Sequence, residues 1–265
     1  SRLTPLDSSS AWHEENALGC NAASMSLPHL VEAYPDEPAA ELARFAAARP
    51  GKPADALKLY KRYRKWRRED GAADALGAAA QPAEARDAQF AALGGRVGGS
   101  DRLLLVEGAR YALDVPAEAY VALLCRRMDE ALASDASTRL VVLIDARAGT
   151  GWPNPSALKL VGFLRLCAGA IPNRYPERLR RVVVYPLPGW AKTLIGLVTR
   201  LLEPVTRDKI EVLAGSDSKD APCPAGLAKH VRLDAIPEHA RARHAALAPE
   251  DAAAPEDVAP EDAVR

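Results

Sequence analysis

An α/β fold with a mixed, mainly parallel sheet is what this sequence predicts, on three observations. Short, mostly apolar runs recur along it, the mark of strands covered on both faces. Between them lie longer segments whose apolar residues repeat every three or four positions. The two kinds of segment alternate regularly from about residue 101.

In chain order, residues 1–35 mix Ser, Pro, Asn and charge without a period and read as irregular. A small all-helical annex follows over 36–75. Leu42 and Phe45 share one helix face, and Arg49-Pro50-Gly51 stops that helix. Pro53 suits the first turn of the next, whose stripe is Ala56, Leu59, Tyr63 and Trp66. Its other faces carry Lys58, Lys61, Arg62, Arg64, Lys65, Arg67 and Arg68, read as a solvated basic face in preference to a dedicated anion site. Residues 76–100, rich in Ala and Gly, are expected to be a linker or a loosely packed helix. The run Gly94-Gly95-Arg96-Val97-Gly98-Gly99 leads into a strand and lacks the Lys and Ser or Thr of a phosphate loop, so a flexible turn is expected.

The main domain is expected over 101–240. Its strands are Leu103–Val106, Leu140–Ile144, Val182–Tyr185 and Ile210–Leu213. Its helices are Pro116–Leu132, one that opens on Asn154-Pro155 and runs to about Ala168, and Trp190–Leu202. Residues 241–265 form the last segment. Ala-Pro-Glu-Asp recurs there at 248–251, 254–257 and 259–262, an acidic composition poor in large apolar groups, for which disorder is expected.

Charge is unevenly placed. Net charge is zero, but Glu250–Arg265 holds six acids and one base, which leaves 34 bases and 29 acids in the remainder. A mildly basic body suits an anionic partner such as a lipid head group or a membrane surface. Cys20, Cys125, Cys167 and Cys223 form no C-x-x-C pair, which argues against a zinc site or a disulfide framework and for a reducing compartment. The longest apolar stretch, Trp190–Leu202, is interrupted by Lys192 and Arg200 and is too short to span a bilayer. The N-terminus has no basic-then-apolar signal segment, and the chain opens on Ser1, as a fragment would.

No catalytic residue and no metal ligand set is expected. His13, His29, His230, His239 and His244 have no metal-ligand spacing, and no G-x-S-x-G elbow is present. Asp145 ends a strand, a position shared by active-site acids and loop caps, and the cap is preferred. The densest polar region is Asn173–Arg181, which mixes cations with one carboxylate before a strand. Glu203–Ile210 repeats that mix with a hydroxyl. Arg and Lys can hold a phosphate, while Glu and Thr can bind sugar or inositol hydroxyls. The two clusters flank an amphipathic segment. A polar head-group site beside an apolar surface is one reading, and surface ion pairs are the other.

Tyr175-Pro-Glu-Arg-Leu, Val182-Val-Val-Tyr-Pro and Glu203-Pro-Val-Thr-Arg-Asp-Lys-Ile together resemble the CRAL-TRIO family. The match is with its fungal phosphatidylinositol-transfer type, which carries Y-P-E-R-M and D-P-V-T-x-x-K-I segments at similar separation. Glu41–Arg49 is similar to the family's L-L-R-F-L-R-A-R signature, and Trp66-Arg67-Arg68-Glu69 to its closing W-R-x-E. The ordered set covers about Ala39 to Ile236. The resemblance implies a mixed sheet whose helices form a lipid pocket, no enzymatic activity and no cofactor. It implies one bound hydrophobic ligand, phosphatidylinositol or a phosphoinositide, carried between membranes or presented to lipid-modifying enzymes. Glu177, Arg178, Thr206 and Lys209 match head-group positions, Arg49 matches a basic position in the annex, and Trp190, Leu194, Leu197, Val198 and Leu201 match a mobile lid.

The pattern also departs from the family. Pro50 stands where a second base is expected, and Ile236-Pro237-Glu238 stands near the place of a closing glycine pair. The strand at 140–144 has no hydroxyl, which argues against a choline lipid. Trp190-Ala-Lys-Thr-Leu-Ile-Gly-Leu-Val resembles the related BCH protein-interaction domains as well. The partners expected are therefore a lipid and a transient membrane surface, with a small GTPase or lipid kinase as alternatives and no nucleic acid. A tocopherol or retinoid is the alternative ligand, and the location expected is cytoplasmic.

Overall fold

The computed structural model describes residues 25–133, 135, 137–149, 155, 157–187, 196 and 204–247. The helical N-terminal part reaches further than the periodicity predicts. A helix over residues 25–33 (α1) occupies ground expected to be irregular. Leu30 on it is fully buried, and the Ser26 hydroxyl donates to the Arg49 carbonyl at 3.1 Å. Those two inward residues are too few to register as a stripe. Helix α2 (Ala39–Ala47) buries Leu42, Phe45 and Ala46. Helix α3 (Pro53–Arg68) begins on its proline and buries the predicted stripe, with Tyr60 added. Phe45 meets Tyr60 and Tyr63 with ring centroids 4.9 and 4.8 Å apart. Such aromatic pairs contribute about 0.5–1.5 kcal/mol each beyond area burial.

Residues 76–100, expected to be a linker or a loosely packed helix, are a packed helix and a strand. Helix α4 (Ala73–Asp87) buries Leu76, Ala80 and Ala83. Its inward side chains are small, so the pattern carries little contrast even though the packing is close. Strand β1 (Ala91–Gly98) takes up the glycine run expected to be a flexible turn except its last residue, Gly99, which with Ser100 forms a turn. A Cβ on Gly94 would stand 2.2 Å from the Ala235 carbonyl oxygen and 2.8 Å from Leu103. Gly94 and Gly95 let a backbone cross the strand at contact distance.

The remaining strands are β2 (Asp101–Glu107), β3 (Leu140–Asp145), β4 (Leu179–Leu187) and β5 (Ile210–Ala214), and the sheet order is β1-β2-β3-β4-β5. Only β1 pairs antiparallel; β2 through β5 are parallel, with Val142 opposite Val182 and Val182 opposite Ile210. Parallel neighbours need crossovers, which are α5 (Ala117–Leu132), α6 (Ala157–Arg174) and a path that ends in α7 (Pro204–Arg207). Helix α6 runs past the expected stop at Ala168. Pro172 lacks an N–H, but Tyr175 N–H still donates to the Ile171 carbonyl at 2.9 Å and the Asn173 amide to that of Gly169 at 2.7 Å.

The two sheet faces have different covers. Leu104, Val106, Leu140, Val142 and Ile144 face the helices. Leu103, Leu105, Val141, Leu143, Val183 and Tyr185 face the C-terminal turns at Ala225–Lys229, Leu233–Ala235 and Glu238–Leu247. Residues 241–247, expected to open the tail, therefore belong to the folded body, with Leu247 in that core. The expected tail beyond them lies outside the described residues.

Under this second face sits a buried polar network. Asp145 accepts from the Arg147 backbone N–H at 2.9 Å and from its guanidinium at 2.6 to 3.1 Å, with both side chains almost wholly buried. Arg147 also donates to the Ala221 and Arg243 carbonyls. His244 Nδ1 faces the Ala240 carbonyl at 2.7 Å and so carries the proton. Its Nε2 then accepts from the Tyr185 hydroxyl at 2.7 Å and from Arg147. Burial lowers the His244 pKa below its ordinary value, as a neutral ring in this arrangement requires. Asp145 is thus a loop cap and tether.

Candidate functional site

The turn Tyr175–Arg178 joins α6 to β4. Arg178 N–H donates to the Tyr175 carbonyl at 3.2 Å, Pro176 occupies the second place, and Glu177 the third with φ 56°. A positive φ at the third place is what a type II turn demands, and glycine is the usual residue there. Glu177 is the only non-glycine at positive φ among the described residues. Its left-handed backbone costs about 1–2 kcal/mol.

The turn is held from below. The Tyr175 hydroxyl is 2.9 Å from both the Cys125 carbonyl and Asp129 Oδ1 on α5, and burial first, then nearby Cys125 and Asp129, raises its pKa far above the ordinary value. Arg67 of α3 forks onto the same Asp129 with two bonds of 2.6 Å. Annex, α5 and turn are therefore joined at one carboxylate.

A second turn supplies the facing groups. Helix α7 is one turn long; Lys209 N–H donates to the Thr206 carbonyl at 3.2 Å, and the Lys209 carbonyl accepts from Val182 of β4 at 2.8 Å. This pins Thr206 and Lys209 beside the turn before β4. Lys209 Nζ lies 3.4 Å from Glu177 Oε2, with the two side chains 26% and 37% exposed. At that exposure the pair contributes at most about 1 kcal/mol, so a ligand can take over either partner at small cost.

These groups rim a cavity of about 260 Å³, close to the lower end of the roughly 300–1,000 Å³ common for small-molecule sites. Its floor is Ile144, Val182 and Ile210 from three adjacent strands; its wall is Leu164, Cys167, Ala168 and Ile171 of α6, with Met128 of α5. The annex closes one side with Ala47, Ala48, Arg49 and Pro50. Four of the five expected head-group residues, Glu177, Thr206, Lys209 and Arg49, thus meet at one cavity. Burial, with a smaller effect of Cys125, pushes the Cys167 thiol up to about 12, so the wall is neutral there.

Arg178 goes elsewhere. It is buried and donates to the Thr138 carbonyl at 2.9 Å, and it lines a different cleft with Glu41, Arg44, Arg67 and Asp129. Burial and then the facing Arg44 lower its pKa. A left-handed residue before it turns the chain, so neighbours in sequence point to different cavities. The expected lid residues Trp190, Leu194, Leu197, Val198 and Leu201 lie outside the described residues. The periodicity missed Met128, Ile144 and the α6 face as cavity lining, because a core position and a cavity position carry the same apolar signal.

The arrangement offers a carboxylate, a hydroxyl and two cations on the rim of an apolar chamber, and no nucleophile paired with a base. No helix among the described residues is long and apolar enough to cross a membrane. The family model for the CRAL/TRIO domain matches residues 112–240. Among solved structures, Sfh5 is similar in fold, with a TM-score of 0.55 at 12% identity over 73% of this chain and 67% of that one. No curated protein sequence matches the chain. With the mixed sheet, the helical annex and the cavity between them, residues 112–240 are a CRAL/TRIO domain.

Proposed function

We propose that the chain binds phosphatidylinositol or a phosphoinositide, one molecule at a time, for transfer between membranes or presentation to lipid-modifying enzymes. The observation that carries this reading is the meeting of Glu177, Thr206, Lys209 and Arg49 on the rim of an apolar cavity. Lys209 and Arg49 suit the phosphodiester, and Glu177 and Thr206 suit ring hydroxyls, each by a charge-assisted or hydroxyl bond. The apolar wall of α6 suits acyl chains.

The test is uptake from mixed vesicles, read by native mass spectrometry after re-isolation. A one-to-one complex with an inositol lipid is expected. Glu177→Ala with Lys209→Ala removes two charged partners of the head group, at about 1.5–3 kcal/mol apiece, so affinity falls at least about a hundredfold. Unchanged uptake by the double variant sinks the head-group assignment. Retention of a hydrocarbon-like ligand with no phosphate would replace the inositol lipid by a tocopherol-like or retinoid-like cargo.

A further inference from the structure

We infer that the outer side of α6, with the adjoining flank of α3, is the surface on which the protein settles onto an anionic lipid bilayer. This deepens the lipid-carrier reading and rests on it for its role, but its physical basis is separate. Helix α6 has three cations, Lys159, Arg165 and Arg174, and no Asp or Glu from end to end. It is also two-sided. Leu164, Cys167, Ala168 and Ile171 wall the cavity. Leu158, Lys159, Gly162, Arg165, Leu166 and Gly169 are exposed.

At 3.6 residues per turn the exposed set falls within an arc of about 120°. Within that arc Leu158, Gly162, Gly169 and Leu166 hold the middle, and Arg165 and Lys159 hold the two edges. Leu158 is 81% exposed and Leu166 38% exposed, two of the few large apolar side chains left in water among the described residues. An apolar strip between cations is what an interfacial helix presents to lipid: leucines enter the acyl boundary, and the long basic side chains reach the phosphates.

The flank extends the charge. Between α3 and α6 runs a groove of about 380 Å³ bordered by Arg62, Arg165 and Arg174, with Trp66 and Leu166 at its base. Arg174 lies over the Trp66 ring at 4.6 Å. Among the described residues no carboxylate comes within ion-pair distance of Arg62, Lys159, Arg165 or Arg174, whereas Lys65 nearby has Glu69 at 4.0 Å. Lys58, Lys61, Lys65 and Arg68 on α3 are exposed as well. Asp70 and Glu118 line a neighbouring cleft with Trp66, Leu166 and Arg174 and so bound the basic area. Cations spread over two helices, with protruding leucines among them, match a charged plane with an apolar interior. Docking there would put the outer surface of the cavity wall itself against the membrane.

The full chain is tested by co-sedimentation with phosphatidylcholine vesicles, with and without phosphatidylserine, at low and high salt. Binding is expected only with phosphatidylserine, and it is lost as salt rises. Each surface cation contributes about a fivefold effect, so Arg62→Ala with Arg165→Ala is expected to weaken binding about 25-fold. Leu158→Asp is expected to weaken it too, and all of these positions are exposed, so folding is spared. The lipid retained in the cavity, read by native mass spectrometry, is expected not to change in these variants. Glu177→Ala with Lys209→Ala is expected to do the reverse and lose cargo while still sedimenting. Equal sedimentation of the surface variant and the natural chain overturns the inference. So does binding that ignores phosphatidylserine, or binding to polyglutamate with none to vesicles. Absence of any cargo alongside intact phosphatidylserine-dependent binding would defeat the carrier reading and leave the docking surface standing.

Discussion

At the scale of single residues, Glu177 sets a side chain against a backbone preference. The turn asks for glycine, and the rim of the cavity holds a carboxylate. Strain kept at one position while its neighbours are relaxed is common where a site needs a group. The cost can be separated from the function. Glu177→Gly and Glu177→Ala both remove the carboxylate, but only glycine relieves the left-handed φ. The glycine variant is expected to be more stable than the alanine variant by about 1 kcal/mol, read as the difference in urea midpoints at equal slope. Equal midpoints would show that the turn rearranges when the carboxylate is gone.

At the scale of elements, β1 and the C-terminal turns have to be understood together. Gly94 sits under the Ala235 carbonyl so closely that no side chain fits between them. Gly94→Ala forces either β1 or the turn at Leu233–Ala235 to move. It is expected to cost at least about 2 kcal/mol, in the range for overpacking a close contact, measured by denaturant unfolding. Gly98, whose Cβ would meet nothing within 4 Å, is the control, and Gly98→Ala is expected to have little effect. The same crossing explains why the glycine run was illegible as a strand. Glycine lowers strand propensity, and the partner that requires it lies 141 residues along the chain.

At the scale of the whole molecule, the C-terminal cover is attached through buried polar groups as well as apolar area. Glu107 receives Arg110, His239 and Arg243, while Asp145 and Tyr185 reach His244 directly or through Arg147. Because burial holds the His244 pKa below its unfolded value, its neutral ring contributes stability that is complete above about pH 6.5. That contribution is lost as pH falls below the unfolded value, where the unfolded chain binds a proton that the folded one resists. Thermal melts are therefore expected to drop between neutral and mildly acid pH, and His244→Gln is expected to flatten that drop while lowering stability at neutral pH. The drop would persist unchanged in His244→Gln if carboxylates caused it.

Periodicity and composition alone determined the parallel strands, the stripe of α3, the crossover helices α5 and α6 and the excess of bases in the body. Each of those is written locally, in the spacing of apolar residues or in a count of charges. Motif likeness added the rim residues. Only the tertiary structure decided that β1 is a strand, that 241–247 closes the second face, and that Arg178 turns away from Glu177, Thr206, Lys209 and Arg49. The physical reason is the same in all three cases. A glycine's partner, a small-residue interface and the direction of a side chain after a left-handed turn are set by what arrives from distant parts of the chain, and no local pattern records it.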